Sequence, residues 1–258
     1  MTLVLNEIHL VEGLRKTVLI AAADRRITKG NGDYHRTAPK LFEIPYLNGA
    51  VAYFGLAEFR VGTRTRGLWD LIPDFIRKNT DAANLEMFSL RLRSWLHSVI
   101  PASVLASTAS GFHICGYGHT ALPDHFFLPN FRAMNGFVPA QIAPTYKTPG
   151  SHFLGRDARR LGWDGSDPLS IKGPGVSYRN GDFRVHALTA DLIDRMFLAL
   201  RALPDFKAPQ TPKDYKTYIR FKFRLISALH KQWIHKHRVE DDVDVLAWYS
   251  SNGQVNKV

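Results

Sequence analysis

Two apolar runs at the start of the chain constrain its fold most. Residues 3–10 read Leu-Val-Leu-Asn-Glu-Ile-His-Leu, and residues 17–24 read Thr-Val-Leu-Ile-Ala-Ala-Ala-Asp. Both are strand-like, and Glu12-Gly13 between them marks a turn, so the pattern predicts a hairpin centred there. In that register Thr2 lies across from Asp24 at the open end of the hairpin. Residues 33–37 are polar and read as a loop. Residues 40–44 alternate as a strand, Pro45-Tyr-Leu-Asn-Gly49 turns, and residues 50–56 form another strand.

Helices come next. Leu68, Leu71, Ile72, Phe75 and Ile76 recur at helical spacing over 67–78. Leu85, Phe88, Leu92, Trp95 and Leu96 do the same over 81–100, with Pro101 as a stop. Both helices are amphipathic and suited to covering one face of a sheet. Strands return at 111–117 and 125–128, with a weaker candidate at 134–142. Thr148-Pro-Gly150-Ser151 turns sharply into a short helix at 153–161. Residues 162–182 are rich in Gly, Ser, Pro and Asp and read as an irregular insertion. A helix spans 189–203, and a longer one spans 213–237, with Ile219, Phe223, Ile226, Leu229 or His230, and Trp233 as its apolar line and Lys216, Arg220 and Arg224 as a basic line. A strand at 244–249, a turn at 250–253 and an edge segment close the chain. Strands, two helices, strands, two helices, strands is an α+β order, and it suggests a four-layer αββα sandwich in a single domain over 1–258.

The 258 residues include 45% hydrophobic and 22% charged side chains, an ordinary globular balance with enough chain for one large core. No apolar run reaches the roughly 18 residues of a membrane helix, and no secretory signal pattern is visible, so a cytoplasmic location is expected. Cys115 is the lone cysteine and reads as a core thiol. The net charge of +11 raises binding to nucleic acid or another anionic surface, although the basic residues are scattered along the chain.

Removal of Met1 before a small residue such as Thr2 creates one residue bearing both a hydroxyl and a free α-amine. That amine has an ordinary pKa of roughly 7.7–8.0, near what a general base at neutral pH needs. A hydroxyl activated by the N-terminal amine is a nucleophile. It needs a nearby cation to keep the amine unprotonated and a carboxylate to hold that cation, and Lys40 and Asp24 can supply these if the strands stack as read.

The segment Ala21-Ala-Ala-Asp24-Arg-Arg26-Ile-Thr28, followed by Lys40-Leu-Phe-Glu-Ile and Gly55-Leu-Ala, resembles the proteasome β-subunit and the related bacterial HslV peptidases, as a divergent bacterial-type member. That family has an N-terminal Thr, an Asp-x-Arg-x-Thr segment, and a Lys after a fixed gap; sixteen positions separate Asp24 from Lys40 here. The resemblance implies the N-terminal nucleophile hydrolase fold and a threonine peptidase working through an acyl-enzyme on Thr2. It implies that Lys40 tunes the amine, that Asp24 orients Lys40, and that the Gly55 N–H stabilises the oxyanion. Thr28 would hold the substrate backbone as an added strand, and Tyr53 would line the pocket before the cut bond. Gly150-Ser151 resembles the family's Gly-Ser turn, whose Ser supports the amine. Gly116-Tyr117 with Pro123 and Phe126-Phe-Leu, and Asp244-Val-Leu-Ala-Trp-Tyr with Asn252-Gly253, resemble later strands of the family.

The resemblance further implies peptide or unfolded-protein substrates, a homo-oligomeric ring, an ATP-dependent unfoldase partner, and neither cofactor nor metal. Some features depart from the pattern. The gap from Thr2 to Asp24 is longer by an even number of residues, which keeps the same face inward. The family's second Asp and Ser have no counterpart in His235-Lys-His237-Arg-Val-Glu-Asp-Asp242, and the 162–182 insertion is foreign to it. A catalytically inactive scaffold of the same fold and a basic nucleic-acid-binding protein are the alternatives. His230, His235 and His237 read as a basic helix end rather than a metal site, and Lys172-Gly-Pro-Gly175 lacks the spacing of a phosphate loop.

Overall fold

The computed structural model describes residues 3–28, 33–132, 141–182, 185, 189–233 and 239–258, and every structural statement concerns those residues. The predicted hairpin is β1 (Leu3–Glu12) with β2 (Lys16–Asp24). Its turn centres on the buried Leu14 rather than on Glu12-Gly13, because Glu12 pairs with Lys16. A bulge between Leu10 and Glu12 then shifts the frame, so that Val4 pairs with Ala23 and the next position outward sets Leu3, not Thr2, across from Asp24. A one-residue slip of this kind reassigns which residue meets which.

The hairpin sits in an antiparallel five-stranded sheet, ordered β13-β1-β2-β14-β15, with β13 (Gly175–Gly181), β14 (Val243–Ser251) and β15 (Gln254–Lys257). A second sheet runs β10-β9-β6-β5, with β5 (Leu41–Ile44), β6 (Gly49–Phe54), β9 (Gly111–Gly116) and β10 (Asp124–Pro129). Three two-stranded ribbons complete the β structure: β3 (Arg26–Thr28) with β4 (Tyr34–Thr37), β7 (Glu58–Val61) with β8 (Arg64–Gly67), and β11 (Phe131–Arg132) with β12 (Gln141–Ile142). The helices are α1 (Leu68–Lys78), α2 (Leu85–Val99), α3 (Ala102–Ser107), α4 (Ala158–Arg160), α5 (Ala190–Leu200) and α6 (Pro212–Trp233). The protein is thus α+β.

Strand alternation sorts the apolar side chains into three clusters. Val4, Ile8, Leu19, Ala21, Ala23 and Trp248 of the first sheet meet Leu41, Ala50, Ala52, Phe54, Cys115 and Tyr117 of the second. The opposite face of the second sheet, including Val51, Tyr53, Phe112 and Ile114, packs on Ile72 and Phe75 of α1 and on Phe88, Leu92 and Leu96 of α2. The opposite face of the first, including Leu5, Ile20, Ala22 and Val245, packs on Ile193 of α5 and on Ile219, Phe223 and Ile226 of α6. These are the positions that helical spacing singles out in α1, α2 and α6.

Four expectations change. Residues 34–37, read as loop, form β4 against β3, because two-stranded ribbons need no apolar alternation to pair. Residues 175–181 of the supposed insertion are strand β13, paired with β1 from Leu3↔Gly181 to His9↔Gly175. Glycine at 175 is dictated by contact: at φ +132 a Cβ would stand 1.9 Å from the Ile8 carbonyl oxygen. Trp233 is not on the buried line of α6 but 73% exposed, while Lys222 takes a buried place. A separate helix, α3, begins directly after Pro101, whose fixed φ suits a helix start. The candidate strand at 134–142 falls mostly outside the described residues, as do Thr2, His235 and His237.

Candidate active site

Asp24 ends β2 at a corner, and its carboxylate joins three pieces of chain. Oδ1 accepts the N–H of Leu3 at 2.9 Å and the ammonium of Lys40 at 3.3 Å; Oδ2 accepts the N–H of Arg26 at 3.2 Å. Lys40 also donates to the Arg26 carbonyl. The start of β1, the β2–β3 corner and the residue before β5 are therefore tied to one carboxylate. Asp24 is fully buried and Lys40 is 2% exposed. Burial lowers the Lys40 pKa against the opposing pull of Asp24, and the positive charge of Arg26 adds to the lowering. Arg26 is itself ion-paired to Glu240.

The Tyr53 N–H donates to the Lys40 carbonyl at 3.1 Å, which fixes Lys40 alongside β6. Two residues further on, Gly55 turns at φ +81, a conformation that favours glycine. A Cβ there would lie 2.1 Å from the Ala109 carbonyl oxygen. Lys40, Gly55, Thr28 and Tyr53 line one small pocket with Arg26, Ile27, Phe54 and Ala57. The Tyr53 ring is buried on the helix side of its sheet, and its hydroxyl donates to the Pro39 carbonyl at 3.1 Å, so only part of the residue faces the pocket. The structure thus brings Asp24, Lys40, Thr28, Gly55 and Tyr53 together. Thr2 lies outside the described residues; its sequence neighbour Leu3 is the residue bonded to Asp24.

Ser151 does not join this group. It bridges to Phe126 beyond β10, at the far edge of the second sheet from β5. Four strand spacings of ~4.8 Å separate it from β5, about 19 Å. Its hydroxyl accepts the Gly155 N–H at 2.7 Å and interacts with Asp124. The segment that reaches the open end of the hairpin is instead the end of β13, Asn180-Gly181, with Asp182, since Gly181 pairs with Leu3 and Asp182 is buried directly after it. This strand is hidden in the sequence because the glycine-rich composition of 162–182 masks an alternation in which Val176 and Tyr178 pack into the core between the sheets.

Behind this group a polar network crosses between the sheets. His113 contacts Asn6 Oδ1 through Nδ1 at 2.6 Å and Asn180 Nδ2 through Nε2 at 2.8 Å. With these amide orientations Nδ1 donates and Nε2 accepts. Asn6 donates onward to Cys115 Sγ at 3.0 Å, and burial pushes the Cys115 thiol up to about 12, the behaviour of a core thiol and not of a nucleophile. Among the described residues no group of three or more His, Cys, Asp or Glu side chains could hold a metal ion, and no helix is long and apolar enough to cross a membrane.

No protein-family model matches the chain, and no curated protein does. Among solved structures it is similar to eukaryotic HslV from Trypanosoma brucei, at 14% identity over 95% of this chain and 98% of that one, with a TM-score of 0.42.

Proposed function

We propose that this chain is a threonine peptidase of proteasome β-type, built as the four-layer αββα sandwich of N-terminal nucleophile hydrolases, with Thr2 as nucleophile once Met1 is removed. The observation that carries this reading is the buried Asp24–Lys40 pair bonded to the N–H of Leu3, the residue directly after Thr2. An ammonium held there and desolvated would disfavour a second positive charge on the α-amine and so keep that amine unprotonated, ready to accept a proton.

In the reaction the Thr2 hydroxyl adds to the scissile carbonyl carbon and its proton passes to the α-amine. The oxyanion is stabilised by the Gly55 N–H. The C–N bond breaks as the α-ammonium returns the proton to the leaving amine, which leaves an ester on Thr2. Water, deprotonated by the same amine, hydrolyses that ester and restores the hydroxyl. Thr28 binds the substrate as an added strand, and Asp182 replaces Ser151 as the group positioning the amine. Ring assembly, an unfoldase partner and a cytoplasmic location belong to the same reading.

Hydrolysis of a fluorogenic peptide panel by the wild type and by Thr2→Ala tests it. Activity in the first and none above background in the second is expected; equal activity in both contradicts it. A silent scaffold of the same fold is the second reading, favoured by the distance of Ser151 from Lys40, and it predicts no hydrolysis by either protein.

A further inference from the structure

Both small ribbons beside the candidate pocket carry exposed arginines. Arg26, Ile27 and Thr28 of β3 line the pocket, as does Ala57, the residue before β7. The ribbons are joined to one another by the contact of His35 Nε2 with Glu58 Oε1 at 2.9 Å. Arg36 of β4 lies over the Trp69 ring of α1, 5.1 Å from its centroid. Arg36, Arg60, Arg64 and Arg66 are all exposed, and none has a carboxylate partner among the described residues. The acids nearby in sequence are Asp33, directly before β4, Glu58, which faces His35, and Asp70 on α1. Four uncompensated guanidinium groups on one pair of ribbons are a strong local positive field in a chain whose net charge is +11.

We propose that the two ribbons are a docking surface for acidic, unfolded polypeptide, which they feed toward the pocket. This deepens the peptidase reading; docking itself is independent of that reading, and only the later cleavage rests on it. The β7–β8 ribbon has two strands, and its outer edges present backbone that an extended polypeptide can continue by main-chain hydrogen bonds and a nucleic acid cannot. The aromatic rings of this surface each have a face already taken by an arginine: Arg26 lies 4.9 Å from the Tyr34 centroid, and Arg36 covers Trp69. That leaves little platform for the base stacking on which single-stranded nucleic-acid binding relies.

Fluorescence anisotropy of the full chain carrying Thr2→Ala tests this without catalysis. The probes are a labelled Glu-Ser repeat peptide, its Gln-Ser isostere, and a labelled single-stranded oligonucleotide, each at low and at physiological salt. The Glu peptide should bind about tenfold or more tighter than the Gln peptide, with affinity falling as salt rises. The triple variant R60E/R64E/R66E should lose that preference while keeping its melting temperature. Equal binding of the two peptides, an unchanged preference in the triple variant, or tighter binding of the oligonucleotide than of the Glu peptide overturns the proposal. Docking of the Glu peptide in a protein that hydrolyses nothing would defeat the peptidase reading alone; hydrolysis without any acidic preference would defeat the docking surface alone.

Discussion

Lys40 Nζ lies 3.3 Å from Asp24 Oδ1, with both side chains closed to solvent. The two ends of this pair are not equivalent. Asp24 also accepts the N–H groups of Leu3 and Arg26, whereas Lys40 has the Arg26 carbonyl as a further acceptor.

Removing the carboxylate is therefore the more damaging change. Asp24→Ala takes the acceptor from two backbone N–H groups and the Asp24 charge from a buried ammonium, and should cost about 3–5 kcal/mol in urea unfolding. Lys40→Met leaves the carboxylate two of its donors and should cost about 1–3 kcal/mol. If the pair serves the α-amine, Lys40→Met also lowers peptide hydrolysis by about 10²–10⁴-fold in protein that is still folded. Equal destabilisation by the two substitutions would contradict this asymmetry.

Ser151 and Asp182 give opposite expectations. Asp182, buried next to the residue that pairs with Leu3, should be sensitive: Asp182→Asn is expected to lower kcat by about 10²-fold with little change in KM. Ser151→Ala, across the second sheet, should leave kcat within about twofold and act only through the local turn it caps. Steady-state kinetics of the two variants separates the positions.

A second buried ion pair lies on the helix side of the first sheet. Lys222 donates to Glu7 Oε1 at 2.6 Å and meets Asp194 at 2.7 Å, and His9 contacts the other Glu7 oxygen at 2.8 Å. Burial pushes the Glu7 carboxyl up, but the charge of Lys222 and the bond from His9 overcome it and hold the group well below the usual carboxylate range. Lys222→Met should destabilise by about 3–5 kcal/mol, because it leaves a buried carboxylate uncompensated. Adding Glu7→Leu should recover part of that loss, a coupling that a double-mutant cycle in urea measures.

His125 gives the pH dependence. Its ring stacks on Tyr178 with centroids 4.0 Å apart, and both ring nitrogens are buried without a partner among the described residues. Burial depresses its pKa well below 6.5, and the proximity of His113, His152 and the Arg156 guanidinium depresses it further. The unfolded chain therefore takes up a proton near pH 6.5 that the folded chain refuses. Stability is full above that pH and falls as pH drops toward the folded pKa, by about 1–2 kcal/mol at pH 5. His125→Phe keeps the stacked ring and removes the titration, so the fall in melting temperature between pH 7.5 and 5 should shrink. A slope unchanged by this substitution assigns the acid sensitivity elsewhere.

Where side-chain periodicity decided the structure, the sequence was legible. The helices α1 and α2 obey their apolar spacing, and Leu3, Val4 and Leu5 alternate between two cores as a doubly covered strand must. The pairing of Asp24 with Lys40 was within reach because both stand at the ends of strands with clear patterns. Strand β13 was not, since Gly175 at its start is placed by close backbone approach rather than by side-chain burial. The ribbon β7–β8 was equally silent, because Arg64 and Arg66 pair with Val61 and Phe59 and interrupt what would otherwise be an alternating apolar face. Nothing local marks Lys222 as buried, since burial of its charge depends on Glu7, 215 positions away in the chain.

The peptidase reading stands or falls on the first residue of the mature chain. Intact mass of the purified protein, before and after treatment with a threonine-directed covalent inhibitor, decides it. A mass lacking Met1 and a single inhibitor adduct that Thr2→Ala abolishes are expected. A retained Met1 with no adduct would contradict the assignment of Thr2 as nucleophile.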